Sequence, residues 1–140
     1  MKLNIGCGRK QLEDYINIDK HDYGQHVVRD VLKGLPYPNN VIEEIRMHHL
    51  IEHFHYEEIC DILGECWRVC QPGGKIEVTV PHAGRALHKA FQDPSHKTFF
   101  VPGTFPYFEM DHAYSHEFSL KLDSLMENKT EIRAIYRVIK

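Results

Sequence analysis

Eight consecutive residues, His48-His49-Leu50-Ile51-Glu52-His53-Phe54-His55, hold four imidazoles and one carboxylate. Within them His49, Glu52 and His53 follow the spacing H-x-x-E-H. On a helix that spacing sets two imidazoles on one face as zinc ligands and leaves the carboxylate as a base. Zinc-dependent hydrolysis built this way needs a third ligand from far downstream, and Glu117 or Glu127 would have to supply it. The stretch has two other readings. It can be a polar helix start lining a cleft, with Glu52 or His53 held by structural hydrogen bonds. It can also offer His49 or His53 to a substrate, as an orienting group or as a general base of near-neutral pKa. The segment follows a strand end, and 140 residues is short for a zinc hydrolase; both weigh against the metal. The serines Ser95, Ser115, Ser119 and Ser124 lie outside any G-x-S-x-G context, so no nucleophile triad is indicated.

A second group of chemistry-bearing residues sits near the N-terminus. Leu3-Asn4-Ile5 is a short apolar run ended by Gly6-Cys7-Gly8. Glycine accepts positive φ and lets a ligand approach the backbone, and free N–H groups in such a turn can hold an anion. Two glycines alone are equally consistent with a plain strand-to-helix turn. Asp19 follows 11 residues after Gly8, too early for a dinucleotide fingerprint, which places its acid about 20 residues on. Asp19 ends a second strand-like run and Asp30 a third. A carboxylate at the first of these ends can accept from both hydroxyls of a ribose, and one at the second from an exocyclic amine. Together they would frame an adenosine. Singly, each Asp could as well be a turn or helix cap.

These groups are placed by an alternation of strands and helical segments. Tyr15–Asp19, His26–Arg29 and Val41–Met47 read as strands, and only residues 9–14 separate the glycine turn from the first of them, too few for a full crossover helix. Gly34–Asn40 is a loop with two prolines. Tyr56–Cys70 is the clearest helix, with Ile59, Ile62, Leu63, Cys66, Val69 and Cys70 in one stripe and acids outside it. Gln71-Pro72-Gly73-Gly74 ends that helix, and Lys75–Val80 alternates as a strand closed by Pro81. A short helix is expected near Ala83–Phe91, and Phe118–Leu122 with Glu131–Ile139 form a terminal hairpin. The pattern predicts one α/β domain over residues 1–140, with a Rossmann-like, mainly parallel sheet, helices on both faces and a C-terminal antiparallel hairpin.

Four stretches in register, LNIGCG, YINID, RDVLKGLPYPNNVIEEIRMHHLIEH and ECWRVCQPGGKIEVTVPH, resemble the class I S-adenosylmethionine-dependent methyltransferases. They are most similar to a compact set with a shortened first crossover. The similarity runs from Leu3 to His82 and continues more weakly through DPSHKTFF. It implies seven strands, six parallel and one reversed, and S-adenosylmethionine as cofactor. By that resemblance Gly6, Cys7 and Gly8 approach the cofactor's amino-acid end. Asp19 holds the ribose with Lys20 beside the adenine, and Asp30 and Val31 contact the adenine. His48 and His49 face the methionine part and the methyl group. Asn4 stands where many relatives carry an acid, and Lys10 where they carry a third glycine. Nothing precedes the first strand where larger relatives have closing helices, which implies weak cofactor binding or help from a partner subunit, a second copy included. A cofactor-binding subunit without catalysis is therefore the alternative to an enzyme.

The composition narrows the partners. The chain is 42% apolar and 26% charged with a net charge of −3. It has no basic run, so a duplex nucleic acid footprint is not evident. No apolar run reaches the roughly 18 residues of a membrane span, and the N-terminus lacks a signal-peptide stretch, so a cytoplasmic location is expected. Cys7, Cys60, Cys66 and Cys70 form no C-x-x-C pair and read as reduced core residues. Residues 93–116 carry Phe99, Phe100, Phe105, Tyr107, Phe108 and Tyr114 with three histidines. This segment is either a satellite core beneath a cleft or the wall of a small-molecule acceptor pocket with His96 at its rim.

Overall fold

The computed structural model describes residues 1–109 and 116–140. Seven strands form one sheet: β1 (Lys2–Ile5), β2 (Ile16–Asp19), β3 (Val27–Val28), β4 (Ile42–His48), β5 (Cys70–Pro81), β6 (Leu120–Glu127) and β7 (Glu131–Val138). Their order across the sheet is β3-β2-β1-β4-β5-β7-β6. β1 pairs in parallel with β2 and β4, β2 with β3, and β4 with β5. β7 runs antiparallel to both β5 and β6, so it alone is reversed. The chain runs outward from β1 to β3, then returns to lay β4 on the other side of β1. Strand order reverses there, and a crevice opens beyond the strands' carboxyl ends.

Side chains alternate across each strand, and the two faces differ sharply. Leu3 and Ile5 of β1, Ile45 and Met47 of β4, Ile76, Val78 and Val80 of β5, and Ile132, Ala134 and Tyr136 of β7 are all at most 1% exposed. Against them α1 (Tyr56–Val69) lays the predicted stripe of Ile59, Ile62, Leu63, Cys66 and Val69. Glu58 accepts from the backbone N–H of His55 at 3.1 Å and so caps the helix start. Cys70 has ψ 143° and already belongs to β5. The β4–β5 ladder begins at Ile42↔Cys70, bulges over residues 71–74 and resumes at Glu44↔Lys75. Gly74 sits inside that bulge, where a Cβ would meet the carbonyl oxygens of Gln71 at 2.9 Å and Glu43 at 3.2 Å.

The opposite face is polar. Asn4, Tyr15, Glu44, Arg46, Glu77, Thr79 and Arg133 stand on it or at its margin, most of them lining a basin of about 560 Å³. Glu77 takes Arg133 at 2.7 Å and Arg46 at 3.5 Å, and Glu44 accepts from the Tyr15 hydroxyl. Of the helical layers expected on both faces, one is built in full: α1 with the 3-10 turns at Val31–Lys33 and Pro102–Phe108, whose apolar residues join the core. The crossovers before β2 and β3 contain no helix. Residues 6–15 turn instead, with Lys10 N donating to Cys7 O and Tyr15 N to Leu12 O. Asn4 explains its own departure from the family pattern. Its amide donates to Lys10 O at 3.1 Å and to Asn17 Oδ1 at 2.9 Å, which a carboxylate could not do.

The expected helix near Ala83–Phe91 is reduced to α2 (Leu87–Phe91). The hairpin is longer than its sequence signal, because β6 runs on to Glu127. Asn128 makes its bend, Oδ1 accepting from the N–H groups of Thr130 and Glu131, both at 2.8 Å. All four cysteines are free. Burial drives the Cys66 thiol well up and that of Cys70 to about 12, so both stay protonated. No helix among the described residues is long and apolar enough to cross a membrane.

Candidate functional site

A cleft of about 520 Å³ lies at the switch point, a volume suited to a small molecule. Each parallel strand from β1 to β4 delivers residues to it: Ile5 and Gly6 at the end of β1, Asp19 and Lys20 at the end of β2, Asp30 and Val31 just beyond β3, and His49, Leu50 and His53 beyond β4. Ser95 and Lys97 close it from across. The two acids expected to frame a nucleoside are therefore in one cleft.

Each acid is also a local cap. Asp19 accepts from Gly8 N at 2.9 Å through Oδ2 and from His21 N at 3.0 Å through Oδ1. Each oxygen keeps room for a second donor, which suits a pair of vicinal hydroxyls. Asp30 accepts from Leu32 N at 3.0 Å through Oδ1 and so caps the 3-10 turn, leaving Oδ2 for an amine. Val31, 7% exposed, supplies an apolar wall beside it. Lys20 is exposed at the mouth. This set of acceptors and apolar wall fits the nucleoside of S-adenosylmethionine.

The glycine turn works differently from its expectation as an anion nest. Gly6 N and Cys7 N both donate to Ile18 O, at 2.8 and 3.1 Å, and Gly8 N is taken by Asp19. The turn folds back on the end of β2, so its donors are spent inside the protein. Gly6 (φ 69°) lines the cleft, and a Cβ there would stand 2.7 Å from Leu50 Cδ1. Gly8 (φ 50°) faces open space. Cys7 is buried with its thiol against Gly8 O at 3.4 Å, and burial followed by the Asp19 charge raises its pKa. Neither Cys7 nor Gly8 lines the cleft, a correction to their expected place at the cofactor's amino-acid end.

At the other end, two consecutive histidines part ways. β4 ends at His48, and His49 adopts φ 54°. His48 lines the basin on the polar face and not the cleft, a correction to its expected place beside the methionine part. Burial, then the neighbouring His49, lowers its pKa. His49 lines the cleft and bonds Glu131 Oε1 through Nε2 at 2.8 Å, with Nδ1 3.4 Å from Glu52 Oε1. Glu52 first, with Glu131 adding, holds its pKa above the ordinary value against the opposing effect of burial.

The helix that would align His49 with His53 is not formed. Residues 51–53 make one 3-10 turn and His49 lies outside it. Glu127 is engaged by His82 at 2.8 Å and Arg85 at 2.7 Å, and Glu117 lines a groove beside α1. Neither stands as a third ligand for His49 and His53. Glu131, Ser95 and Lys97 were not legible as site residues. Glu131 is 82 positions from His49, and no local pattern links them.

The clamped His49 has a pH signature. A raised pKa means that the imidazolium favours the fold. That contribution is full below the unfolded value of about 6.5 and is lost as pH rises through the higher folded value. Glu131→Gln should cost about 0.5 kcal/mol at about pH 6 and almost nothing at about pH 9, the pair being solvent-screened. Urea unfolding of both proteins at the two pH values measures the difference.

Residues 99–108 go chiefly to the core. Phe100, Phe105 and Phe108 are at most 3% exposed, while Phe91 and Phe99 stack at 4.0 Å on the surface. Phe100, Phe105 and Phe108 join the main core and form no separate satellite, and the segment reaches the cleft through Ser95 and Lys97. His112 and Tyr114 lie outside the described residues.

No protein-family model and no curated protein matches the chain. Solved structures do. A SAM-dependent methyltransferase from Archaeoglobus fulgidus superposes with a TM-score of 0.72 at 16% identity, over 97% of this chain and 85% of that one. A SAM-dependent methyltransferase from Methanosarcina mazei gives 0.67 at 14% identity, over 99% and 92%. A chain from the complex of the Haloferax volcanii Trm112 methyltransferase activator gives 0.70 at 10% identity, over 99% and 82%. The chain has the class I S-adenosylmethionine-dependent methyltransferase fold.

Proposed function

We propose that this chain binds S-adenosylmethionine in the switch-point cleft and transfers its methyl group to a small-molecule acceptor, residues 1–140 working as one domain. One observation carries the reading: Asp19 at the end of β2 and Asp30 just beyond the neighbouring parallel β3 share a cleft, each with acceptor capacity left over. The fold shared with SAM-dependent methyltransferases supports it. Asp19 holds the ribose, Lys20 lies at the adenine edge, and Asp30 with Val31 receives the adenine. Gly6 borders the amino-acid end.

The bound cofactor supplies an activated methyl on a sulfonium. The protein's work is alignment and exclusion of water, which can be worth several kcal/mol. His49 and His53 orient the acceptor. His49, held between two carboxylates, is a poor proton acceptor. His53 is held through Nδ1 by Ser95 Oγ at 2.9 Å, so its Nε2 lone pair is the one available at this end.

Calorimetry with S-adenosylhomocysteine tests the reading: saturable binding is expected, and no heat at millimolar ligand would remove it. Release of S-adenosylhomocysteine across a panel of small hydroxyl, amine and thiol acceptors then separates an enzyme from a cofactor-binding subunit. The broad polar face favours keeping that second reading, since a partner could cover it.

A further inference from the structure

We propose that Glu52, His53 and His96 form a site for a divalent transition-metal ion of the zinc class. The inference rests on side-chain geometry and is independent of methyl transfer. Glu52 is 2% exposed, yet neither carboxylate oxygen has a hydrogen-bond partner among the described residues. A buried carboxylate with an oxygen left unanswered is costly, and a cation is the usual remedy. His49 Nδ1, 3.4 Å from Oε1, answers only one oxygen and only at ion-pair range. One donor atom each from Glu52, His53 and His96 lies within 4.8 Å of the other two. The backbone holds the trio together, because Lys97 N and Thr98 N both donate to Glu52 O, at 2.8 and 3.2 Å.

The hydrogen bonds also fix which nitrogens are free. Ala90 O can only accept, so the 2.6 Å contact makes His96 Nδ1 the protonated nitrogen and leaves Nε2 with its lone pair. Ser95 Oγ gives its proton to Asp93 Oδ1 at 2.6 Å, so it accepts from His53 Nδ1. His53 Nε2 is likewise left as an acceptor. Two neutral imidazoles and a carboxylate are a three-ligand zinc set with an open fourth position. Acceptors on the far ring nitrogens are the supporting contacts such ligands need. Bonds of about 2.1 Å would place the donors roughly 3.4 Å apart, so side-chain rotation closes the trio. Asp93 Oδ2, 3.6 Å from His96 Nε2, stands alongside. His48, His49 and Glu131 meet the same distance, but there His49 and Glu131 already satisfy each other at 2.8 Å. With an ion bound, His53 serves as its ligand and its lone pair is no longer open to an acceptor.

Cobalt chloride titrated into the purified protein tests the site. Binding of about one equivalent is expected, with the intense visible absorption of four-coordinate cobalt, displaced by zinc. Glu52→Gln and His53→Ala should each abolish the spectrum, and His88→Ala, which removes an exposed histidine of α2, should leave it intact. Zinc should raise the melting temperature of the parent and not of His53→Ala. A parent chain without a saturable cobalt site, or one whose spectrum survives both substitutions, overturns the proposal. Asp19→Ala touches only the nucleoside end and should keep the cobalt spectrum, so loss of cofactor binding and loss of metal binding are told apart.

Discussion

S-adenosylhomocysteine should bind Asp19→Ala about 100-fold more weakly than the parent chain. Hydrogen bonds to a charged group are worth about 1.5–3 kcal/mol each, and two ribose hydroxyls at the low end of that range give roughly 3 kcal/mol, or two decades in affinity. The carboxylate is placed for this by its own bonds to Gly8 N and His21 N, so the substitution also frees two backbone donors at the cleft. Asp19→Asn is the informative companion. Its amide keeps the shape but turns one acceptor into a donor, and an intermediate affinity is expected. Calorimetry on folded protein, checked by circular dichroism, gives both numbers. Parental affinity in Asp19→Ala would remove the nucleoside from this cleft.

Phe105→Ala should lose about 3–5 kcal/mol of stability, the usual range for truncating a buried aromatic, and leave cofactor affinity unchanged. Phe105 is 1% exposed, packs on Phe100 with ring centres 5.4 Å apart, and presents its carbonyl to the Tyr136 hydroxyl at 2.7 Å. It thereby ties the 3-10 turn at Pro102–Phe108 to the middle of β7. Urea unfolding measures the loss, and calorimetry well below the transition measures binding. A large fall in cofactor affinity with little change in stability would mean that the aromatic segment walls the cleft after all.

The sheet was legible because its signals are local and periodic. Apolar alternation in β5 and the 3.6-residue stripe of α1 each depend on neighbours in sequence, and both elements formed with ends moved by a few residues. Asp19 and Asp30 were legible because strand ends in a parallel sheet converge on one edge. What escaped depended on donors that sequence cannot count. The glycine turn spends its N–H groups on Ile18 O and Asp19, a matter of how tightly it folds onto β2. The histidine run read as helical because H-x-x-E-H fits a helix, whereas His49 left that conformation at φ 54°. Glu131 reaches it from the distant hairpin. The aromatic segment was ambiguous for a related reason: burial of Phe105 is decided by Tyr136 and Phe100, not by its own neighbours.

The left-handed backbone at His49 has a practical consequence. Adjacent residues there serve separate compartments, so a change at 48 addresses the basin and a change at 49 the crevice. Glycine at 49 would tolerate the turn and simply delete the ring, whereas valine or isoleucine would fight the dihedral itself. The two are still coupled through Glu131, which lines the basin and is bonded to the His49 ring, so deleting that ring also releases a basin carboxylate.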